Sequence, residues 1–241
     1  MKRTDGRAFD QMRPVIMTPG FMPNAEGSCL VEMGNTKVIC TATVEESVPK
    51  WMQGQGLGWV TAEYSMLPRS STERIPREVS KGRVSGRTQE IQRLIGRSLR
   101  AVTDMTVLGQ KTILIDCDVL MADGGTRTAS ITGGYVALAL AIDNLMKGGK
   151  LQSNPLHTSV AAISVGVIDE VPLLDLKYDE DSNADVDMNV VMTGTEKFVE
   201  VQGTAEGGVF ERSRLDEMID LAMSGIKELT SIQQGLLGAA G

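Results

Sequence analysis

Alternation of apolar and polar residues is the clearest signal along this chain, and it predicts β-strands. In residues 59–66 the apolar side chains fall on every second position, which is the period of a half-buried strand. Two further runs, at residues 29–33 and 36–44, flank Gly34-Asn35 and predict a hairpin. The remaining strands are predicted at residues 112–120, 159–168, 173–178, 185–191 and 197–202.

Helices are predicted where apolar residues recur every three to four positions. Within residues 87–104 this stripe includes Ile91 and Ile95, while most of the arginines lie off it. A second helix is predicted at residues 128–146, and a third begins near Ser213. Strands interleaved with long helices are typical of a layered α/β fold, and this is the fold class we expect.

Length and composition favour one folded domain. The chain has 241 residues, of which 41% are hydrophobic and 23% charged, so it can bury a core without disulfides or a structural metal. No linker is apparent, and we expect a single domain over residues 1–241. The longest apolar run, residues 135–142, is shorter than the roughly 18 residues of a membrane-spanning helix, so no membrane association is expected.

The scarcity of cysteine and histidine excludes several kinds of site. The three cysteines are odd in number and form no CxxC pair, which argues against a disulfide framework or a cysteine zinc site. This cysteine usage is typical of a reducing cytoplasm, which is the location we expect. No secretory signal is expected, because the N-terminus is charged and no apolar segment follows it. The single histidine, His157, excludes mechanisms that need two, such as that of an HExxH zinc hydrolase.

Charge is unevenly distributed along the chain. The net charge is −7, yet residues 69–100 carry +6, which leaves −13 for the remainder. Residues 169–187 contain eight acids and one lysine. The basic segment can bind a polyanion and the acidic segment a divalent cation. Since only 4% of the residues are aromatic, recognition through phosphate groups is favoured over base stacking.

Residues 123–128 are a candidate anion site, because they join an apolar strand to a helix through two glycines. Gly125 allows backbone N–H groups to approach an anion, and the helix N-terminus adds partial positive charge. Thr126 and Arg127 add a hydroxyl and a guanidinium group. The segment is neither a P-loop nor a GxGxxG motif, and an ordinary strand-to-helix turn explains these residues equally well.

Arg87 begins a second helix after a glycine-containing segment, residues 81–86. The helix dipole disfavours an arginine in the first turn unless an anion shares the site. A solvated basic face is the alternative, and it is the better one for any single arginine of this region. Taken together, the two helix starts predict that Arg87 and Arg127 converge on one phosphate.

Asp181 and Asp187 are candidate ligands of Mg²⁺. Asp187 lies on the polar face of the strand predicted at residues 185–191, and Asp181 lies in the preceding loop. Mg²⁺ is commonly held by one or two carboxylates together with substrate oxygens. A solvated acidic turn is the simpler interpretation when these residues are considered alone.

Several motifs together resemble those of the bacterial ribonuclease PH family, phosphorolytic 3′-to-5′ exoribonucleases that trim transfer RNA precursors. The similarity covers nearly the whole chain, as far as about residue 224. The matching segments are RTDGR at 3–7, GNTKV at 34–38, TAEYSMLPR at 61–69, SGRTQEIQRLIGR at 85–97, DGGTR at 123–127 and DVDMN at 185–189.

The resemblance implies a fold like the second domain of ribosomal protein S5 and a homohexameric ring built as a trimer of dimers. It implies that inorganic phosphate is the co-substrate, bound by Arg87, Gly125, Thr126 and Arg127. The catalytic pair would be Asp181 and Asp187, acting through Mg²⁺. The subunit contacts or the RNA entry path would include Arg69, Arg74 and Arg77. The related polynucleotide phosphorylase usually has a lysine where this chain has Asn189.

The activity implied by the resemblance is phosphate attack on the last internucleotide linkage of RNA, which releases a nucleoside diphosphate. The reaction exchanges one P–O bond for another, so nucleotide addition to RNA 3′ ends is expected as its reverse. Transfer RNA precursors are the expected substrates, and ribosomal RNA is a further candidate. Two alternatives stay open, namely a non-catalytic RNA-binding ring subunit and a metal-dependent hydrolytic nuclease that uses water instead of phosphate.

Overall fold

Two β-sheets organise the chain in a computed structural model, which describes residues 3–240 apart from the side chains of Val79, Lys81 and Ala240. The first sheet has the order β1-β2-β3-β5-β4, and only β4 and β5 are parallel within it. Its strands are β1 Val15–Pro19, β2 Gly27–Met33, β3 Thr36–Glu45, β4 Trp59–Met66 and β5 Thr112–Met121. The second sheet is antiparallel, with the order β7-β6-β8-β9. Its strands are β6 Val160–Ile168, β7 Val171–Leu174, β8 Val186–Thr193 and β9 Phe198–Ala205.

Helices pack on both sheets. The α-helices of the described chain are α1 Gly86–Arg100, α2 Met105–Leu108, α3 Thr126–Lys147, α4 Tyr178–Asp181 and α5 Arg212–Ala240. Short 3₁₀ turns occur at Lys50–Met52 and Glu78–Lys81. Helix α1 connects the parallel strands β4 and β5 and packs against β4. This layered arrangement confirms the predicted α/β class.

Helix α3 is the centre of the core. It contacts β2, β3 and β5 of the first sheet and β6 of the second, and one continuous cluster of buried apolar side chains includes residues of both sheets. All nine residues of β6 are buried, because α3 and α5 pack on this strand. By length and apolar composition α3 could span a membrane, but 72% of its apolar 18-residue stretch is buried within the protein. It is therefore a core helix.

The three cysteines occupy adjacent positions across the first sheet. Cys40 faces Cys29 on one neighbouring strand and Cys117 on the other. All three are buried free thiols, and burial raises the pKa of Cys29 to about 12. A thiol with so high a pKa stays protonated and unreactive, so Cys29 serves packing, as do the buried Cys40 and Cys117.

Several predicted boundaries are corrected by the structure. The predicted helix over residues 87–104 ends at Arg100, because Asp104 caps the separate helix α2 through the N–H groups of Thr106 and Val107. The predicted strand over residues 173–178 is wrong in its second half. Its pairing ends at Leu174, and Tyr178 begins α4. Strand β1 was not expected, since an exposed edge strand ending in proline has a weak apolar pattern.

Candidate active site

The glycine loop between β5 and α3 has the backbone conformation that the anion-site hypothesis requires. Gly124 and Gly125 have φ angles of 74° and 66°, in the left-handed region that glycine adopts without strain. A Cβ atom on Gly124 would lie 2.4 Å from the Leu176 carbonyl oxygen, so no side chain fits there. Gly125 is the N-cap of α3, and no side chain caps this helix start. The first turn of α3 therefore presents backbone N–H groups to the adjacent cleft.

Thr126 is held by a residue that sequence analysis did not single out. Its Oγ1 lies 2.9 Å from the Tyr64 hydroxyl, and both residues are buried. Desolvation raises the pKa of Tyr64, while the charges of Arg87 and Arg127 act in the opposite direction. Both guanidinium groups thus act electrostatically on the same hydroxyl. Arg87 and Arg127 also line the same cleft, while their joint binding of one phosphate stays a prediction.

Arg127 is oriented by a short chain of hydrogen bonds. Its Nη1 donates to Gln202 Oε1 on β9 at 3.1 Å, and Gln202 Nε2 donates to Glu90 Oε1 on α1 at 2.6 Å. Arg87 lies in the first turn of α1, whose N-cap Ser85 accepts a hydrogen bond from the Thr88 N–H. Arg87 is exposed and forms no ion pair with any other described residue, which leaves its guanidinium free for a ligand.

The acidic pair faces the same cleft as the two arginines. Asp181 ends α4, and Asp187 lies on β8 with its side chain half-buried. Partial desolvation in the cleft, followed by the nearby Asp187 carboxylate, raises the pKa of Asp181 against the opposing charges of Arg127 and Arg87. Two neighbouring like charges are stabilised by a cation placed between them. Within residues 3–240 no group of three or more histidine, cysteine or carboxylate side chains forms a metal site, so substrate oxygens would complete the coordination.

A network of buried ion pairs supports this site, and no role was predicted for it from the sequence. Arg13 donates to Asp175 from Nη2 at 2.6 Å and from Nε at 2.8 Å, and its Nη1 donates to the carbonyl oxygen of Asp123. Arg3 pairs with Glu180 at 2.6 Å, one residue before Asp181. The network therefore connects the glycine loop to α4. In the sequence, the only sign of this network was the RTDGR segment, which contains Arg3.

The cleft that joins these groups has a volume of 1860 Å³. Arg69 and Arg74 line it together with Asn189, whereas Arg77 is exposed outside the lining. None of these three arginines forms an ion pair with another residue of the described chain, so their charges are available to a polyanion. The cleft thus combines three features. They are a basic wall formed by Arg69 and Arg74, the glycine loop at residues 123–128, here called the anion loop, and the carboxylates of Asp181 and Asp187.

Comparison with known proteins matches this chain to one family over most of its length. Residues 11–142 match the 3′ exoribonuclease family, domain 1, and residues 158–225 match domain 2 of the same family. Ribonuclease PH of Syntrophomonas wolfei is 58% identical over 238 residues, which is 99% of this chain and 100% of that protein. Ribonuclease PH of Neisseria meningitidis serogroup C is 58% identical over 234 residues, 97% of each chain.

Solved structures share the fold at low sequence identity. Rice Rrp46 superposes with a TM-score of 0.79 at 18% identity, covering 98% of this chain and all of that one. An archaeal exosome core gives 0.77 at 20% identity, with 97% and 91% coverage, and the Archaeoglobus fulgidus exosome with RNA bound to the active site gives 0.77 at 21%, with 95% and 91%. With its family matches and its full-length relatives, the chain belongs to the 3′ exoribonuclease family.

Proposed function

We propose that Arg87, Gly125, Thr126 and Arg127 bind the inorganic phosphate with which this phosphorolytic 3′-to-5′ exoribonuclease cleaves RNA. The observation that carries the proposal is the convergence of two helix N-termini, each with an arginine, on one cleft that also contains two carboxylates. Phosphate and RNA are both anions, so catalysis consists mainly of positioning and charge neutralisation.

The reaction forms one P–O bond and breaks another. A phosphate oxygen attacks the phosphorus of the last internucleotide linkage, and the bond from that phosphorus to the 3′-oxygen of the shortened RNA breaks. The leaving 3′-oxygen takes up the proton that the attacking phosphate loses, and a nucleoside diphosphate is released. Arg87 and Arg127 hold the attacking phosphate in line with this bond, while the N–H groups at Gly125 and Thr126 fix its orientation. The chain itself needs no covalent nucleophile.

Asp181 and Asp187 are the residues that would hold Mg²⁺. The pair suits a hard dication, because two close carboxylates repel each other and a cation between them relieves that repulsion. Arg87 and Arg127 line the same cleft. When bound, the ion supplies stabilisation of charge on the oxygens of the transferred phosphoryl group. The two carboxylates position it, and Arg3 and Glu180 keep α4 in place.

RNA would enter along the basic wall of the cleft. Arg69 and Arg74 line it and Arg77 lies nearby, so these three residues are proposed to contact RNA phosphates or a neighbouring subunit. The assembly we propose is a homohexameric ring, a trimer of dimers, because a single cleft offers few contacts to a long RNA. Its substrates would be the 3′ extensions of transfer RNA precursors, with ribosomal RNA as a second candidate.

The proposal extends to the organisation and location of the chain. We infer one domain over residues 1–241, since α3 packs on both sheets and their buried residues form one cluster. The buried free thiols support a cytoplasmic location.

In the deciding experiment, the protein is incubated with a 3′-extended RNA and Mg²⁺, with and without inorganic phosphate, and the released nucleotide is identified. Nucleoside diphosphates formed only with phosphate are the expected result. Monophosphates formed without phosphate would instead indicate the hydrolytic alternative. Tight RNA binding without any product would indicate an inactive ring subunit, and either outcome would contradict the proposal.

A further inference from the structure

Tyr178 is the one aromatic residue in the described lining of the cleft, and most of it is exposed. The residue is 60% exposed, and its hydroxyl forms no hydrogen bond with any residue that the structure describes. The other exposed rings lie elsewhere. Trp51, for example, packs edge-on against Trp59 with centroids 5.0 Å apart, and Arg100 covers Trp59.

We propose that the Tyr178 ring stacks on the base of the 3′-terminal nucleotide of the RNA, the one released as a diphosphate. The inference rests on the proposed phosphorolytic function and adds a subsite to it. Every base has a π-face, so stacking on an aromatic ring provides affinity without regard to sequence. Such tolerance is what an enzyme that trims successive nucleotides requires.

The position of Tyr178 relative to the phosphate site is fixed by its backbone. Its N–H donates to the Asp123 carboxylate at 3.2 Å, and a Cβ atom on Gly124 would lie 2.9 Å from the same nitrogen. The start of α4 therefore abuts the glycine loop directly. Tyr178 and Asp181 are three residues apart on α4, and side chains at this spacing are neighbours on one helix face.

The chemistry of the reaction places the terminal base within reach of this ring. When phosphate attacks, the terminal nucleotide becomes linked to the attacking group, so its base is separated from the bound attacking phosphate by one further phosphate and one ribose. Asp181, which is proposed to act at the scissile linkage, is close enough to Arg127 to feel its charge and lies three residues from Tyr178 on α4. A ring exposed at this point is available to the base of the departing nucleotide.

The test compares two RNAs that differ only in whether the 3′-terminal nucleotide is normal or a stable abasic residue. For each RNA, kcat/KM for removal of the first nucleotide is measured with saturating phosphate. The variants are Tyr178→Ala, Tyr178→Phe and, as a similarly exposed aromatic outside the cleft, Phe9→Ala. Circular dichroism and the phosphate KM check that each variant keeps the fold and the anion site.

On the normal RNA, Tyr178→Ala is expected to lower kcat/KM about five- to a hundred-fold, while Tyr178→Phe and Phe9→Ala stay within about three-fold of the unsubstituted protein. On the abasic-ended RNA, Tyr178→Ala and the unsubstituted protein should agree within about two-fold, because no base remains to stack. Equal losses on both RNAs, or none on either, would overturn the assignment.

A third RNA locates the subsite, because its abasic residue is at the penultimate position. If that change, instead of the terminal one, removes the effect of Tyr178→Ala, the assignment to the released nucleotide is wrong. If the unsubstituted protein releases no diphosphates with phosphate present, both the proposed function and the Tyr178 subsite are contradicted. If phosphorolysis occurs but the effect of Tyr178→Ala does not depend on the terminal base, only the role of Tyr178 is contradicted.

Discussion

Replacing Arg13 by methionine tests how strongly the buried ion network supports the site. The Arg13 side chain is 5% exposed and that of Asp175 is 1% exposed, and two side-chain hydrogen bonds and one backbone hydrogen bond join the residues. Removing one partner of a buried pair leaves an uncompensated charge, which costs about 3–5 kcal/mol. This is a large share of the roughly 5–15 kcal/mol by which a domain is stable.

The assay is urea-induced unfolding at one fixed protein concentration, because assembly contributes to apparent stability. The matched control is Arg97→Met, which removes an exposed ion pair with Glu200 and should cost at most about 1 kcal/mol. Adding Asp175→Asn to Arg13→Met should recover part of the loss, since the buried charge is then gone. A cost for Arg13→Met no greater than that of Arg97→Met would refute the reasoning.

Asp175 also makes stability depend on pH in a defined direction. Burial acts to raise the pKa of Asp175, but the hydrogen bonds and charge of Arg13 outweigh it and hold the pKa below its ordinary value of 3.8. A carboxyl whose pKa is lower in the folded state contributes stability that is fully present above the ordinary value. That contribution should be lost as the pH falls below about 4 towards the folded-state pKa. Unfolding curves of Asp175→Asn should lack this part of the acid dependence, and an unchanged dependence would show that other carboxyls produce it.

Three substitutions test the remaining groups of the site. Arg127→Ala should raise the KM for phosphate about 10- to 100-fold in steady-state kinetics, whereas Arg212→Ala, an exposed arginine outside the cleft, should not. Unchanged phosphate dependence would remove Arg127 from the anion site. Asp187→Asn should abolish turnover with little change in the RNA dissociation constant, and an active variant would exclude it from the centre. Gly124→Ala should cost about 1–3 kcal/mol in urea unfolding, because its φ is 74° and its Cβ would collide with the Leu176 carbonyl oxygen; unchanged stability would contradict the close approach.

The sequence was sufficient for elements whose pattern is local. The strand predicted at residues 59–66 is β4 with the same bounds, and β8 has the expected alternation, with Asp187 and Asn189 on its more accessible face. The predicted strand over residues 173–178 failed for a tertiary reason. Asp175 has a φ of 54°, which turns the chain out of the sheet and brings its carboxylate to Arg13. No local pattern around residue 175 contains that contact.

The candidate site likewise contains some residues that the nearby sequence predicts and others whose roles depend on contacts far away in the chain. Gly125, Thr126 and Arg127 could be predicted because a glycine turn and a helix start leave a signature within a few residues. The roles of Tyr64 and Gln202 could not, since each depends on a partner more than 60 residues away in sequence.

The separation of charge along the chain becomes functional only through this folding. Helix α1 packs on β4 of the first sheet, whereas β8 belongs to the second sheet, and α3, which packs on both sheets, begins at the cleft. The start of α3 thus brings Arg127 beside Asp181 and Asp187 while Arg87 approaches from α1. Under the proposed function, an acidic protein can in this way bind phosphate and RNA, because Arg87 and Arg127 line the same cleft as the glycine loop and Asp181 and Asp187 would hold a cation there.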